Sequence, residues 1–92
     1  MDATTKKSVT QRLASTAGHI KGIARMVDED TYCIDVIRQI QAVQAALNKV
    51  STMILDNHLH TCVTTAVQGE DPQERERVLQ EITSVFEVTG KL

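Results

Sequence analysis

Three features of this 92-residue chain predict an all-α protomer of three helices. Glycine and proline, the strongest breakers of regular structure, are absent from 28–68. Inside that stretch Val36, Ile40, Val43, Leu47, Val50 and Ile54 recur at alternating spacings of four and three, the period of one helical face. The first breaker afterwards, at Gly69–Pro72, is followed by Asp71-Pro72-Gln73-Glu74, which carries a capping Asp, Pro at the first helical position and Glu at the third.

The first helix is expected over about twenty residues. Val9, Leu13, Thr16, Ile20, Ile23 and Val27 form its apolar face, with Gly18 and Gly22 loosening it. Asp28-Glu29-Asp30-Thr31 offers capping side chains ahead of the second helix, placed at roughly 31–67. At ~1.5 Å per residue that helix is some 50–55 Å long. Two short partners from the same chain cannot cover it, so a second chain is required. The third helix shows Leu79, Ile82 and Phe86, with Val78 and Val85, and ends near Gly90. No repeat or linker divides residues 1–92, and a single domain is expected.

Composition narrows the function. Apolar residues make up 41% and charged residues 24%, ordinary for a soluble domain, while one Tyr and one Phe leave the core aliphatic. A formal charge of −2 gives no global attraction to nucleic acid, so a nucleic-acid role needs a local basic surface. No apolar run approaches the ~20 residues of a membrane span, and the N-terminus lacks a signal-peptide core. The two cysteines then read as cytosolic thiols in a cytoplasmic protein, not as a disulfide framework.

The stretch NHLHTCV, 57–63, holds two of the three histidines and one of the two cysteines. At about 100° per residue on one continuous helix, His58 and Cys62 fall about 20° to either side of the direction of Cys33, and His60 points about 180° away. Along the axis Cys33 lies roughly 37–44 Å from the other two, so one chain cannot unite them. An antiparallel dimer can. Cys33 of one chain then lies opposite His58 and Cys62 of the other, and a two-fold axis generates two equal sites. Ile37, Ile40, Leu47 and Ile54 share that side of the helix, so the apolar seam would align the ligands. A small apolar filler explains one cysteine well. Two cysteines and a histidine at symmetry-matched positions point instead to a site.

Two thiolates and an imidazole without a fourth donor favour a soft, three-coordinate ion, chiefly Cu(I). Zinc prefers four ligands, and neither His60 nor His19 has a route to the site. A Cys–His nucleophile would lack an orienting group and an oxyanion loop, so no enzyme is expected.

The runs GHIKGIARMVDEDTYCIDVIRQIQAVQAAL and NHLHTCV closely resemble the copper-sensitive operon repressor (CsoR) family of bacterial regulators, from about Lys6 to Val88. The resemblance implies an all-helical protomer, an antiparallel four-helix dimer core and a dimer-of-dimers homotetramer. It also implies a Cu(I) site built from Cys33 of one protomer with His58 and Cys62 of the other. Tyr32 and, through LQEI, Glu81 match the residues that surround the ligands in copper sensors, although the loop GEDPQER is longer than in the members compared. Among relatives, nickel and cobalt sensors add an N-terminal histidine and carry His at the place of Cys62. Formaldehyde sensors lack the second cysteine and carry Pro at the place of Asp2, and persulfide sensors lack the histidine. Only the copper pattern is complete here.

The expected partner is double-stranded operator DNA. Lys6, Lys7, Arg12, Lys21 and Arg25 cluster early in the chain, and on a helix Lys7, Lys21 and Arg25 form one basic edge. The resemblance adds Arg12 and Lys49 as operator contacts. Scarce aromatics argue against single-strand binding by stacking, and without a helix-turn-helix pattern phosphate contacts and DNA shape gain weight. The expectation is a Cu(I)-responsive repressor released from its operator by copper. A thiol-based persulfide or redox sensor of the same fold and a copper-buffering protein without DNA function are the alternatives.

Overall fold

A computed structural model describes residues 1–90, and the side chains of all of these except Val63 and 87–90. Helix α1 spans Ala3–Asp28 and starts earlier than its apolar pattern. Asp2 is its cap: the carboxylate accepts from the Thr5 amide at 2.8 Å and from the Thr5 hydroxyl at 3.1 Å. The helix runs unbroken through Gly18 and Gly22, where an added Cβ would meet no atom within 4 Å.

Its C-terminus is closed by backbone geometry. The Thr31 amide donates to the Met26 carbonyl and the Asp30 amide to the Val27 carbonyl, while Asp30 takes φ 56°. That is a Schellman closure with an aspartate where glycine is usual. The run of acids therefore ends α1 and supplies its left-handed residue. Helix α2, Cys33–His58, begins just beyond, where the Tyr32 carbonyl accepts from the Asp35 and Val36 amides.

Helix α2 does not continue unchanged to residue 67. Leu59–Val63 forms a π-helical turn and Thr64–Gln68 returns to α-helix, α3. The widened turn shows in the Thr64 hydroxyl, which donates to the Leu59 carbonyl, five residues back, at 2.6 Å. Helix α4 spans Pro72–Gly90, with Asp71 accepting from the Gln73 and Glu74 amides at 3.0 and 3.4 Å. The expected Asp cap and Pro start are both present.

The chain forms two compact units, Met1–Asp56 and Asn57–Leu92. In the first, the buried side chains are Val9, Thr16 and Ile23 on α1 and Val43 and Val50 on α2, all at intervals of seven, with Val36 half-buried. A parallel set is exposed: Leu13, Ile20 and Val27 on α1, and Ile40, Leu47 and Ile54 on α2. The single apolar stripe read from the sequence is therefore two stripes, one inward and one open. In the second unit, α4 lies against α3 and the π turn, and Val78 on α4 is buried.

Asp30 provides a test of the α1 closure. Asp30→Gly removes the left-handed cost and should leave the unfolding midpoint unchanged or higher. Asp30→Val should destabilise by about 1–2 kcal/mol, because a β-branched residue tolerates positive φ poorly. Thermal melts followed at 222 nm, at matched protomer concentration, check both.

Candidate metal and nucleic-acid sites

The three proposed ligands sit at helix boundaries. Cys33 is the first residue of α2, His58 its last, and Cys62 lies within the π turn. Both cysteines are free and exposed, and His58 is half-buried. Cys33 borders an open apolar depression whose wall includes Val27, Val36 and Ile37. Among the described residues, no three His, Cys, Asp or Glu side chains of one chain gather closely enough to hold a metal ion.

The π turn changes the rotation between His58 and Cys62. An i→i+5 turn advances each residue by roughly 80°, against about 100° in an α-helix. Over four residues the offset from His58 changes from about +40° to about −40°. Either value keeps the two side chains on one side of the helical path, and His60 stays near the opposite side. The uniform wheel drawn from sequence is thus corrected in angle. Thr61, which sequence reasoning passed over, joins this region: its hydroxyl donates to the Asn57 carbonyl at 2.8 Å and lies 3.6 Å from Cys62 Sγ. Its adjacency to Cys62 was the available signal.

Tyr32 is exposed beside Cys33, and its carbonyl opens α2. Glu81 lies on α4, the helix packed against the π turn, and is held by Arg77, whose guanidinium donates to Glu81 and to Glu74. The Glu74 side chain, which a capping box would turn back toward Asp71, is taken by Arg77 instead. That hydrogen bond holds the Glu74 carboxyl below the usual carboxylate range and pushes the Arg77 guanidinium above its ordinary value. All three side chains are exposed, so the cluster mainly orders the surface of α4.

The basic residues are exposed: Lys7, Arg12, Lys21 and Arg25 on α1, and Lys49 on α2. Between Ala3 and Val27 the five cations Lys6, Lys7, Arg12, Lys21 and Arg25 meet no acidic residue. Relative to buried Thr16, Lys7, Lys21 and Arg25 lie about 140–180° away, on the back of α1, whereas Arg12 lies about 40° away. The basic residues therefore divide between the back of α1 and one edge of the α1–α2 unit. No described helix is long and apolar enough to cross a membrane.

Comparison with known proteins places this all-helical fold in a metal-responsive class. The chain matches the metal-sensitive transcriptional repressor family over residues 5–88. It is 38% identical over 86 residues to the copper-sensing transcriptional repressor CsoR of Mycobacterium tuberculosis strain H37Rv, covering 92% of this chain and 72% of that one. It is 40% identical to the Bacillus subtilis CsoR (88% and 77% covered) and 49% identical to the M. tuberculosis copper-sensing repressor RicR (73% and 70% covered). Its fold superposes on a crystal structure of the copper-sensing repressor CsoR with Cu(I) from Geobacillus thermodenitrificans NG80-2 at a TM-score of 0.86. Identity there is 30%, with 98% of this chain and 91% of that chain covered. This chain belongs to the CsoR family of metal-sensitive transcriptional repressors.

The Arg77 cluster carries a pH prediction. A carboxyl with a depressed pKa contributes stability above its unfolded-state value, and that contribution is lost as pH falls through the native value. Carboxyl NMR should therefore place the Glu74 midpoint below 4.5 in the native protein. Arg77→Met should return it toward 4.5. An unmoved midpoint removes Arg77 as the cause.

Proposed function

We propose that this protein is a Cu(I)-responsive transcriptional repressor whose apo form holds operator DNA and whose copper-bound form releases it. The observation that carries the reading is the donor set itself: two free, exposed thiols and one imidazole at the boundaries of α2 and the π turn, in a chain of this family. Two sulfurs and one nitrogen suit the soft Cu(I) ion, and no carboxylate is needed. The relatives named as copper-sensing repressors support the same ion.

In this reading residues 1–92 act as one module, and the site is completed only by a second copy. Cys33 of one protomer binds with the partner subunit's His58 and Cys62. The open apolar row of Leu13, Ile20, Ile40, Leu47 and Ile54 supports such a pairing, since it leaves large aliphatic side chains 36–49% exposed. Two dimers then form the homotetramer. Tyr32 and Glu81 surround the ligands and orient His58 through its free ring nitrogen. Lys7, Arg12, Lys21, Arg25 and Lys49 supply contacts to DNA phosphates. The protein acts in the cytoplasm and catalyses no reaction. Because copper weakens DNA binding, DNA weakens copper binding by the same factor.

The central test is an anaerobic Cu(I) titration of the protein bound to a fluorescent duplex carrying the upstream region of its own operon. Anisotropy should fall as copper approaches one equivalent per protomer. A complex that persists with copper fully bound refutes the reading. Cys33→Ala should lose tight Cu(I) binding and hold DNA whether or not copper is present. His60→Ala should bind copper as the parent does, because His60 projects away from the ligand side under either helical period.

Subunit mixing tests the shared site. Cys33→Ala and Cys62→Ala proteins should each lack tight Cu(I) binding, yet recover half the parent capacity in each heterodimer, which holds one intact site. Competition against a Cu(I) chelator reads the recovery. Exchange of subunits without any return of tight binding eliminates the cross-chain arrangement.

A further inference from the structure

The two helices of the first unit present opposite edges of unlike character. Viewed from buried Thr16 on α1, Leu13 and Ile20 lie about 40–60° to one side, and Arg12 and His19 lie about 40–60° to the other. Viewed from buried Val43 on α2, Leu47 lies about 40° to one side and Gln39 about 40° to the other. Lys49 and Arg38 lie further round on the Gln39 side. A contact fixes which polar edges coincide: His19 Nε2 and Gln39 Oε1 are 2.8 Å apart, joining α1 to α2. One edge of the unit is therefore apolar. The other carries Arg12, His19, Gln39, Arg38 and Lys49, all exposed except half-buried Gln39.

No acidic residue occurs from Arg38 to Lys49. Asp35 stands one turn before Gln39, in the first turn of α2, where the helix N-terminus compensates its charge. Arginine and lysine at such an edge suit phosphate. A hydrogen-bonded His–Gln pair between them suits a different task. With His19 Nε2 donating to Gln39 Oε1, that carbonyl keeps a second lone pair, and the amide nitrogen keeps its two hydrogens. A carboxamide fixed in this state matches the adenine edge in the major groove, accepting from N6–H and donating to N7.

We propose that Gln39 reads an adenine of the operator and that His19 is the positioning residue that locks its carboxamide in the reading orientation. The inference rests on the repressor reading above. It assigns sequence discrimination to the His19–Gln39 pair and sequence-independent affinity to the cations on either side.

The test uses the full-length protein with two duplexes, the upstream region of its own operon and a scrambled sequence of equal length. Single adenines of the operator are replaced in turn by 7-deazaadenine, which lacks the N7 acceptor. At one position per half-site, the parent protein should lose about tenfold in affinity, within the range of one bidentate base contact. Gln39→Met should bind the parent and the deaza duplexes alike, with its operator-to-scrambled ratio reduced by a similar factor. His19→Leu should lose part of that ratio while its affinity for scrambled DNA and its Cu(I) stoichiometry stay at parent values. Lys49→Ala should instead weaken both duplexes together and lower the salt slope by about one. If no deaza position weakens the parent protein, or if Gln39→Met remains sensitive to the same position, the proposal is overturned. The deaza series on the parent protein stands even if a variant fails to fold. A parent protein that never prefers operator over scrambled DNA would overturn the repressor reading itself.

Discussion

The architecture depends on apolar surface that one chain only half covers. On α1 and α2 the apolar residues form paired rows at intervals of seven. Val9, Thr16 and Ile23 face inward with Val36, Val43 and Val50, while Leu13, Ile20 and Val27 stay open with Ile40, Leu47 and Ile54. Fully burying an aliphatic side chain is worth about 1.5–3 kcal/mol, and these six are already about half covered, so closing the second set would contribute about 4–8 kcal/mol before entropic costs. A 92-residue chain has few other resources of that size. If a second copy covers that set, as proposed, folding and assembly are coupled and measured stability should depend on protomer concentration.

The same rows orient everything else. Because the open apolar row occupies one edge of the first unit, the charged and polar side chains are displaced to the other edge and to the back of α1. Pairing through the apolar edge, as proposed, would leave Arg12, His19, Gln39 and Lys49 available to an outside partner. In the proposed antiparallel pairing, the start of one α2 would meet the far end of its neighbour, bringing Cys33 opposite the partner's His58 and Cys62. Under that proposal a single interface would set both the composition of the metal site and the surface offered to DNA.

Much of the helical fold was legible in the sequence, and the exceptions have physical causes. The Asp71-Pro72 start of α4 was readable because an Asp cap and a Pro at the first position act through local backbone geometry. The early start of α1 at Ala3 was missed because Asp2 caps a turn whose one apolar residue is the small Ala3, too little to show a period. Asp30 was read as a cap for α2, yet it closes α1 at φ 56°. An Asp in a left-handed position carries no distinguishing neighbour pattern, whereas a Gly there would have marked the stop. The π turn was invisible for a related reason. One added residue per turn leaves apolar spacing nearly intact over Leu59–Val63, and only the hydrogen-bond ladder reveals it. Glu74 fitted a capping box by spacing, but Arg77, three residues on, offered its carboxylate a charged donor. Of the candidate site, the candidate ligands were named from residue type and spacing alone, while the angle between His58 and Cys62 required the backbone.

A site assembled from two chains makes metal occupancy and helix register interdependent. Sliding one α2 past its partner by a single residue turns a facing side chain by about 100°, enough to remove a ligand from reach. In the proposed pairing, Cys33 meets His58 and Cys62 only in the register that also interlocks Ile40, Leu47 and Ile54. Copper then favours assembly through the ordinary mass-action effect of a ligand that binds only the assembled form. That effect alone would not release DNA, because a ligand that binds both DNA-competent and DNA-incompetent assemblies equally shifts nothing between them. The response must therefore come from a contact that differs between two assembled states. The angle set by the π turn between His58 and Cys62, and the orientation of His58 by the residues around it, are where such a difference is available.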